Sequence, residues 1–64
     1  MRLDKTKVLL LMADFSMNQK ELAGKAGISR QTLSAVMSGR SCRPALLGKI
    51  ARALEVKPEE IIEL

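Results

Sequence analysis

An all-α fold of five short helices is predicted, on three observations. Apolar residues recur at helical i, i+3 and i+4 spacing in five successive stretches. Short breakers separate those stretches, with Gly27, Gly39, Pro44 and Pro58 at the junctions. Candidate capping residues, Asp4, Asn18 and Ser29, stand at the starts of the first three. No linker, repeat or low-complexity segment interrupts the series, so residues 1–64 read as one small domain.

The first helix is capped by Asp4, with Leu3 and Val8 as a hydrophobic staple. Val8, Leu11, Met12 and Phe15 form its inward stripe, which Leu9 and Leu10 widen beyond what a one-sided helix needs. One of that pair is therefore expected to be exposed or to lie in a subunit contact. The second helix starts at Asn18, whose capping box is completed by Glu21 and whose staple pairs Met17 with Leu22. Leu22, Ala23 and Ala26 face inward, Lys20 and Lys25 outward, and Ala23 is small where the second and third helices cross. Gly27 supplies the left-handed exit.

The third helix repeats this grammar. Ser29 caps it, Ile28 and Leu33 form the staple, Leu33, Val36 and Met37 face the core, and Gly39 stops it. The fourth begins at Pro44, whose fixed φ suits a first helical position, and its period runs through Leu46, Leu47, Ile50, Ala51 and Leu54. Gly48 within it, like Gly24 in the second helix, either permits close packing or is a weakness of up to about 1 kcal/mol relative to alanine. A last short helix is expected from Pro58, with Glu59 and Glu60 favoured in its first turn and Ile61, Ile62 and Leu64 left to bury. Met12, Met17 and Met37 read as gap-filling core.

The outer face of the third helix carries the functional signal. It presents Arg30, Gln31, Ser34, Ala35 and Ser38, small residues around two long hydrogen-bonding ones, with none of the Glu/Lys pairs of a merely solvated helix. Small side chains let a backbone approach a groove closely, and Arg and Gln have the bidentate geometries that suit guanine and adenine edges.

Charge and composition narrow the classes. Net charge is +4, with ten Lys/Arg against three acids in residues 1–54 and one against four in residues 55–64. A basic body with an acidic end suits a phosphate-facing surface on one side. The single Phe, with no Trp or Tyr, argues against binding by base stacking. Cys42 is alone and there is no His, so neither an intramolecular disulfide nor a zinc site can be built. Cys42 reads as a loop residue without a chemical role, the alternative being a redox-sensing thiol beside Arg40 and Arg43. The apolar run Val8–Ala13 is too short to span a bilayer, which leaves a cytoplasmic, reduced protein as the expectation. No nucleophile with a nearby base, no carboxylate pair across a cleft and no glycine-rich phosphate loop point to an enzyme, and no cofactor or metal is expected.

Residues Gln19 to Gly39 thus spell a helix-turn-helix. The chain resembles the phage repressor and Cro type of that motif, the XRE family, in MNQKELA at the start of the second helix and in Gly27 at the turn. It does so again in the stretch SRQTLSAVMSGR and in GRSCRP followed by LLGKIARALEV. The likeness runs from about Val8 to Ile62, with Gly24 departing from the longer polar residue usual at its position. It implies a compact lambda-repressor-like fold and sequence-specific binding of double-stranded DNA by a transcriptional repressor, with the third helix in the major groove. Carried over by position, Arg30, Gln31, Ser34 and Ala35 are the candidate base contacts, Ala35 through a thymine methyl. Gln19, Ser29, Thr32, Arg40, Ser41 and Arg43 are the candidate backbone contacts, Arg43 able to reach toward a narrow minor groove.

The resemblance also implies a two-fold dimer, weak in solution and firm on DNA. Its expected surface is residues 56–64, whose apolar side chains exceed what a terminal turn can bury. The opposing reading is that Ile61, Ile62 and Leu64 cap the monomer core. A different class of function, a protein-interaction module such as an antitoxin or anti-repressor, would use the same helices to hold a partner.

Overall fold

The computed structural model describes residues 1–63; Leu64 lies outside the described residues. Strand β1 (Arg2–Leu3) leads into α1 (Lys5–Asp14), α2 (Gln19–Ala26), α3 (Arg30–Met37) and α4 (Pro44–Ala53). A single 3₁₀ turn, Pro58–Glu60, then precedes strand β2 (Ile62–Glu63).

The helix starts form as their capping chemistry dictates. The Asp4 carboxylate accepts from the Lys7 amide at 3.2 Å. Asn18 and Glu21 close a reciprocal box, the Glu21 amide donating to Asn18 at 2.8 Å and the Asn18 amide to Glu21 at 3.0 Å. The Ser29 hydroxyl oxygen accepts from the Thr32 amide at 3.0 Å. Pro44 opens α4 at a position where its missing N–H is no loss.

All four helices stop in the same way. A residue with positive φ follows the last turn, and the amide after it reaches back five residues: Met17 to Met12, Ile28 to Ala23, Arg40 to Ala35 and Val56 to Ala51, at 3.0–3.2 Å. Gly27 and Gly39 take that conformation at φ +74° and +106°, as expected of glycine. Ser16 and Glu55 take it at +52° and +58°, with a Cβ that makes it costlier.

The buried side chains form one cluster, centred on Val8, Leu22, Leu33, Ile50, Leu54 and Ile61, with α2 packed against both α3 and α4. Ala23 is buried as its small size at the crossing predicts. Met12 and Met37 are core and Met17 packs against it half-buried. An alanine Cβ at Gly24 or Gly48 would meet open space, so neither glycine serves close packing.

Two expectations need correction. The fifth helix is only one 3₁₀ turn. Ile61 leaves helical geometry, and the chain then runs extended so that Ile62 pairs antiparallel with Leu3 and Glu63 with Arg2. Two adjacent β-branched residues disfavour another helical turn, and β1 offers a partner for the backbone. The Asp4 amide donates to the Ile61 carbonyl at 2.7 Å, tying the two chain ends together. Phe15, expected inward, is 40% exposed because the chain turns away at Ser16; its ring instead lies under the Lys25 ammonium, 5.2 Å from the centroid. Cys42 lies in the loop, as expected, with its side chain buried in the core cluster.

Ile61 is fully buried in the monomer, as the second of the two readings of residues 56–64 has it, whereas Ile62 and Val56 remain half-exposed. Leu9 and Leu10, of which one was expected outside, are both exposed, at 45% and 63%. Among the described residues, no helix is long and apolar enough to cross a membrane.

Candidate nucleic-acid interface

Helix α3 is positioned by its inner side. Leu33, Val36 and Met37 are buried, which fixes the rotation of the helix about its axis, turns Gln31 to the opposite side and leaves Ser34 exposed and Ala35 half-buried at its edges, while Arg30, on the same side as Leu33 and Met37, is exposed at the first position of the helix. Arg30 and Gln31 are the first two residues of the helix, at the end where backbone amides remain unpaired by the helix itself. The Ser29 hydroxyl is committed locally, accepting from the Thr32 amide and donating to the Thr32 hydroxyl at 2.6 Å. Thr32 therefore keeps its own hydroxyl proton for an external acceptor.

Beside α3, the loop from Arg40 to Arg43 and the first half of α4 form the far wall of an open groove of about 550 Å³. Of the residues singled out from the sequence, Gln31, Thr32, Ala35, Arg40, Ser41 and Arg43 meet on this groove. Arg30 and Ser34 are exposed on α3 but do not line it, and Gln19 stands half-buried at the start of α2. The charged residues on the groove are Arg40, Arg43 and Lys49, all cationic. Such a concave, single-sign surface holds a positive potential that a polyanion would meet before any base is read.

The loop is fixed from below. The Cys42 amide donates to the Met1 carbonyl at 2.7 Å, the Ser41 hydroxyl donates to the same carbonyl at 3.2 Å, and the Cys42 side chain is anchored in the core. Ser41 is thereby a holder of the loop, while the Arg43 side chain, which makes no capping bond to α4, is exposed beside it.

Lys49 was not singled out from the sequence. It lies on the polar side of α4 and reaches the groove only because α4 packs across α2, a tertiary relation that helical period alone does not give. It also borders a second basic depression, with Lys25 and Arg52. The signal available was modest: a lysine on the exposed face of a helix whose start adjoins a basic loop.

Two short helices held by a left-handed glycine turn, the second with a buried aliphatic side and an exposed polar side flanked by cations, make a helix-turn-helix DNA-binding domain. The chain belongs to the Cro/C1-type HTH DNA-binding domain family, whose family model matches residues 7–64. Membership supports DNA binding and a part in transcription regulation. Neither a curated protein nor a solved structure gave a match to the chain.

Proposed function

We propose that the protein is a sequence-specific repressor that reads a double-stranded operator through α3, with two copies on an inverted repeat. The observation that carries this reading is the outward set of Arg30, Gln31 and Ser34 at the start of α3, adjoining a groove whose charged residues are all cationic. Entry of the N-terminal end of α3 into the major groove brings Arg30 within reach of guanine and Gln31 within reach of adenine, each bidentate pair contributing roughly 1–3 kcal/mol of discrimination. Ser34 adds a shorter polar contact and Ala35 an apolar one to a thymine methyl.

Arg40, Arg43 and Lys49 neutralise phosphates along one strand and set the register. Thr32 donates its free hydroxyl, and Gln19 with the first amides of α2 anchors the other side. Ser29 and Ser41 act by holding α3 and the loop in shape. One such domain spans too few base pairs for useful specificity, and two copies with half-sites about 34–36 Å apart supply the rest. Occupancy of the operator then excludes other proteins from the same stretch of DNA.

Selection of bound sequences from a random duplex pool at two salt concentrations tests the reading. Enrichment of a short inverted repeat at both is the expected result. An Arg30→Ala/Gln31→Ala double variant that keeps its fold should lose the sequence preference; unchanged DNA binding by that variant would favour a protein-partner role instead.

A further inference from the structure

The sequence of α1 contains more apolar surface than the monomer buries, and the arrangement of its charges indicates what covers it. Lys7, Leu10, Leu11 and Asp14 follow one another at i, i+3, i+4 and i+7, so they share one face of the helix, within an arc of about 100°. Leu10 is 63% exposed and Leu11 half-buried, while Lys7 and Asp14 are exposed at the two ends of the stripe. Beside it runs a groove of about 310 Å³ formed by Lys7, Leu10 and Leu11 of α1 with Val56 and Glu60.

Two features set this stripe apart from an ordinary solvated face. Its charges oppose the dipole of α1, which has no acidic residue in its first turn and no basic residue in its last. Among the described residues, moreover, neither Lys7 nor Asp14 takes part in an ion pair, the one such pair being Lys25 with Glu55 at 3.6 Å.

We infer that this stripe is the contact between two copies of the protein, α1 lying antiparallel to α1 of the partner about a two-fold axis. The axis falls midway between Leu10 and Leu11, because Lys7 and Asp14 are equally far from that point. An antiparallel pair centred there sets Lys7 of each copy against Asp14 of the other, twice over, with Leu10 and Leu11 between. The same charges that are unfavourable within the helix are complementary across the pair. Leu10 of one copy enters the groove between Leu11 and Val56 of the other. The second copy is thus named by self-complementarity: the surface matches itself in charge when turned end to end, with an apolar centre between the charges.

A ten-residue helix is about 15 Å long, and two such faces bury less than the roughly 1,200 Å² of a standard stable interface. The dimer is accordingly weak in free solution and gains from adjacent half-sites. This assignment deepens the two-copy reading proposed above and rests on it for its purpose, but self-association without DNA tests it separately.

Sedimentation equilibrium of the full chain without DNA, on wild type, Lys7→Asp, Asp14→Lys and an equimolar mixture of the two variants, decides the matter. Wild type is expected to show a monomer–dimer equilibrium, and each variant alone a dissociation constant raised about ten-fold or more, as two attractive contacts become two repulsive ones. The mixture is expected to recover dimerisation, because one variant opposite the other restores unlike charges at both contacts. Both reversals also suit the helix dipole, so the thermal midpoint of each variant is expected to hold or rise. Leu10→Gln, which leaves the charges alone, is expected to weaken dimerisation as well.

Equal dimerisation of the single variants, a mixture no better than its components, or a wild type monomeric at every concentration overturns the inference. Binding to a duplex with a single half-site is expected to be the same for all these proteins. A wild type that shows no preference for such a duplex would sink the DNA reading while leaving the self-association result to stand.

Discussion

Replacing Ile61 with alanine separates a monomer core from a subunit contact at the C-terminal end. Ile61 has no exposed surface, sits in the same cluster as Leu22, Leu33 and Leu54, and its carbonyl accepts the Asp4 amide that ties β1 to β2. Truncating a fully buried isoleucine removes its transfer energy and leaves a cavity, together about 2–5 kcal/mol. The site lies between a 3₁₀ turn and a two-residue strand, which can settle inward more readily than mid-helix positions, so the lower half of that range, about 3 kcal/mol, is expected. A chain of 64 residues has on the order of 3–10 kcal/mol of stability in all. The variant should therefore lose a large share of it, and its thermal midpoint should fall by more than about 12 °C.

Urea unfolding followed by circular dichroism, repeated over about a hundred-fold range of protein concentration, reads this directly. A core role predicts the same loss at every concentration, since no partner is involved. Ile62→Ala, half-buried beside it, is the control and should cost about 1 kcal/mol or less. A loss under about 1 kcal/mol for Ile61→Ala in dilute solution, growing as the protein is concentrated, would show that the side chain belongs to an intersubunit contact.

Gly24→Ala and Gly48→Ala should each raise stability by up to about 1 kcal/mol, because both glycines lie inside helices and the added methyl meets open space; calorimetry showing no rise in either would refute that account. Ala23→Leu inserts bulk at a buried crossing of α2 and should destabilise by about 1–3 kcal/mol, measured by the same unfolding curves. Ser29→Ala removes the cap of α3 and should cost about 1 kcal/mol, with weaker DNA binding as the start of the helix frays. Arg43→Ala and Lys49→Ala should weaken binding to all duplexes alike and reduce the slope of log affinity against log salt by about 0.9 each, whereas Arg30→Ala should change which sequences are preferred.

What was legible in the sequence was chiefly local chemistry. Asn18 with Glu21, Ser29, Gly27, Gly39 and Pro44 each announce a helix end through a hydrogen bond or a backbone angle that few residue types satisfy, and α2 and α3 begin and end, and α4 begins, where those residues stand. The outward orientation of Gln31 and Ser34 followed from the period of Leu33, Val36 and Met37, and the exposure of Arg30 from its place at the start of the helix. What was not legible depends on tertiary contacts or on exceptions to residue preference. Ser16 and Glu55 occupy left-handed positions that usually belong to glycine, so the turns that carry Phe15 outward and end α4 left little trace. Strands of two residues have no readable alternation, which is why the pairing of Leu3 with Ile62 was replaced in expectation by a fifth helix. Lys49 and Cys42 are assigned to groove and core only by the packing of α4 and the course of the loop.

The four helix stops connect fold to interface. Each places a residue just past its left-handed turn, where an apolar side chain normally folds back onto the helix it terminates. Met17, Ile28 and Val56 do so, half-buried against the core after α1, α2 and α4. After α3 the corresponding residue is Arg40, which makes the same backbone bond to Ala35 but is exposed on the cationic groove. One end in four thus forgoes apolar contact, and it is the end of the helix that faces outward with Arg30 and Gln31. The backbone of Arg40 is held by that bond while its side chain stays exposed, and the Met1 carbonyl and the Cys42 side chain fix the loop that follows. The chain therefore leaves α3 carrying an exposed cation on the groove, at the place where the proposed reading sets a phosphate.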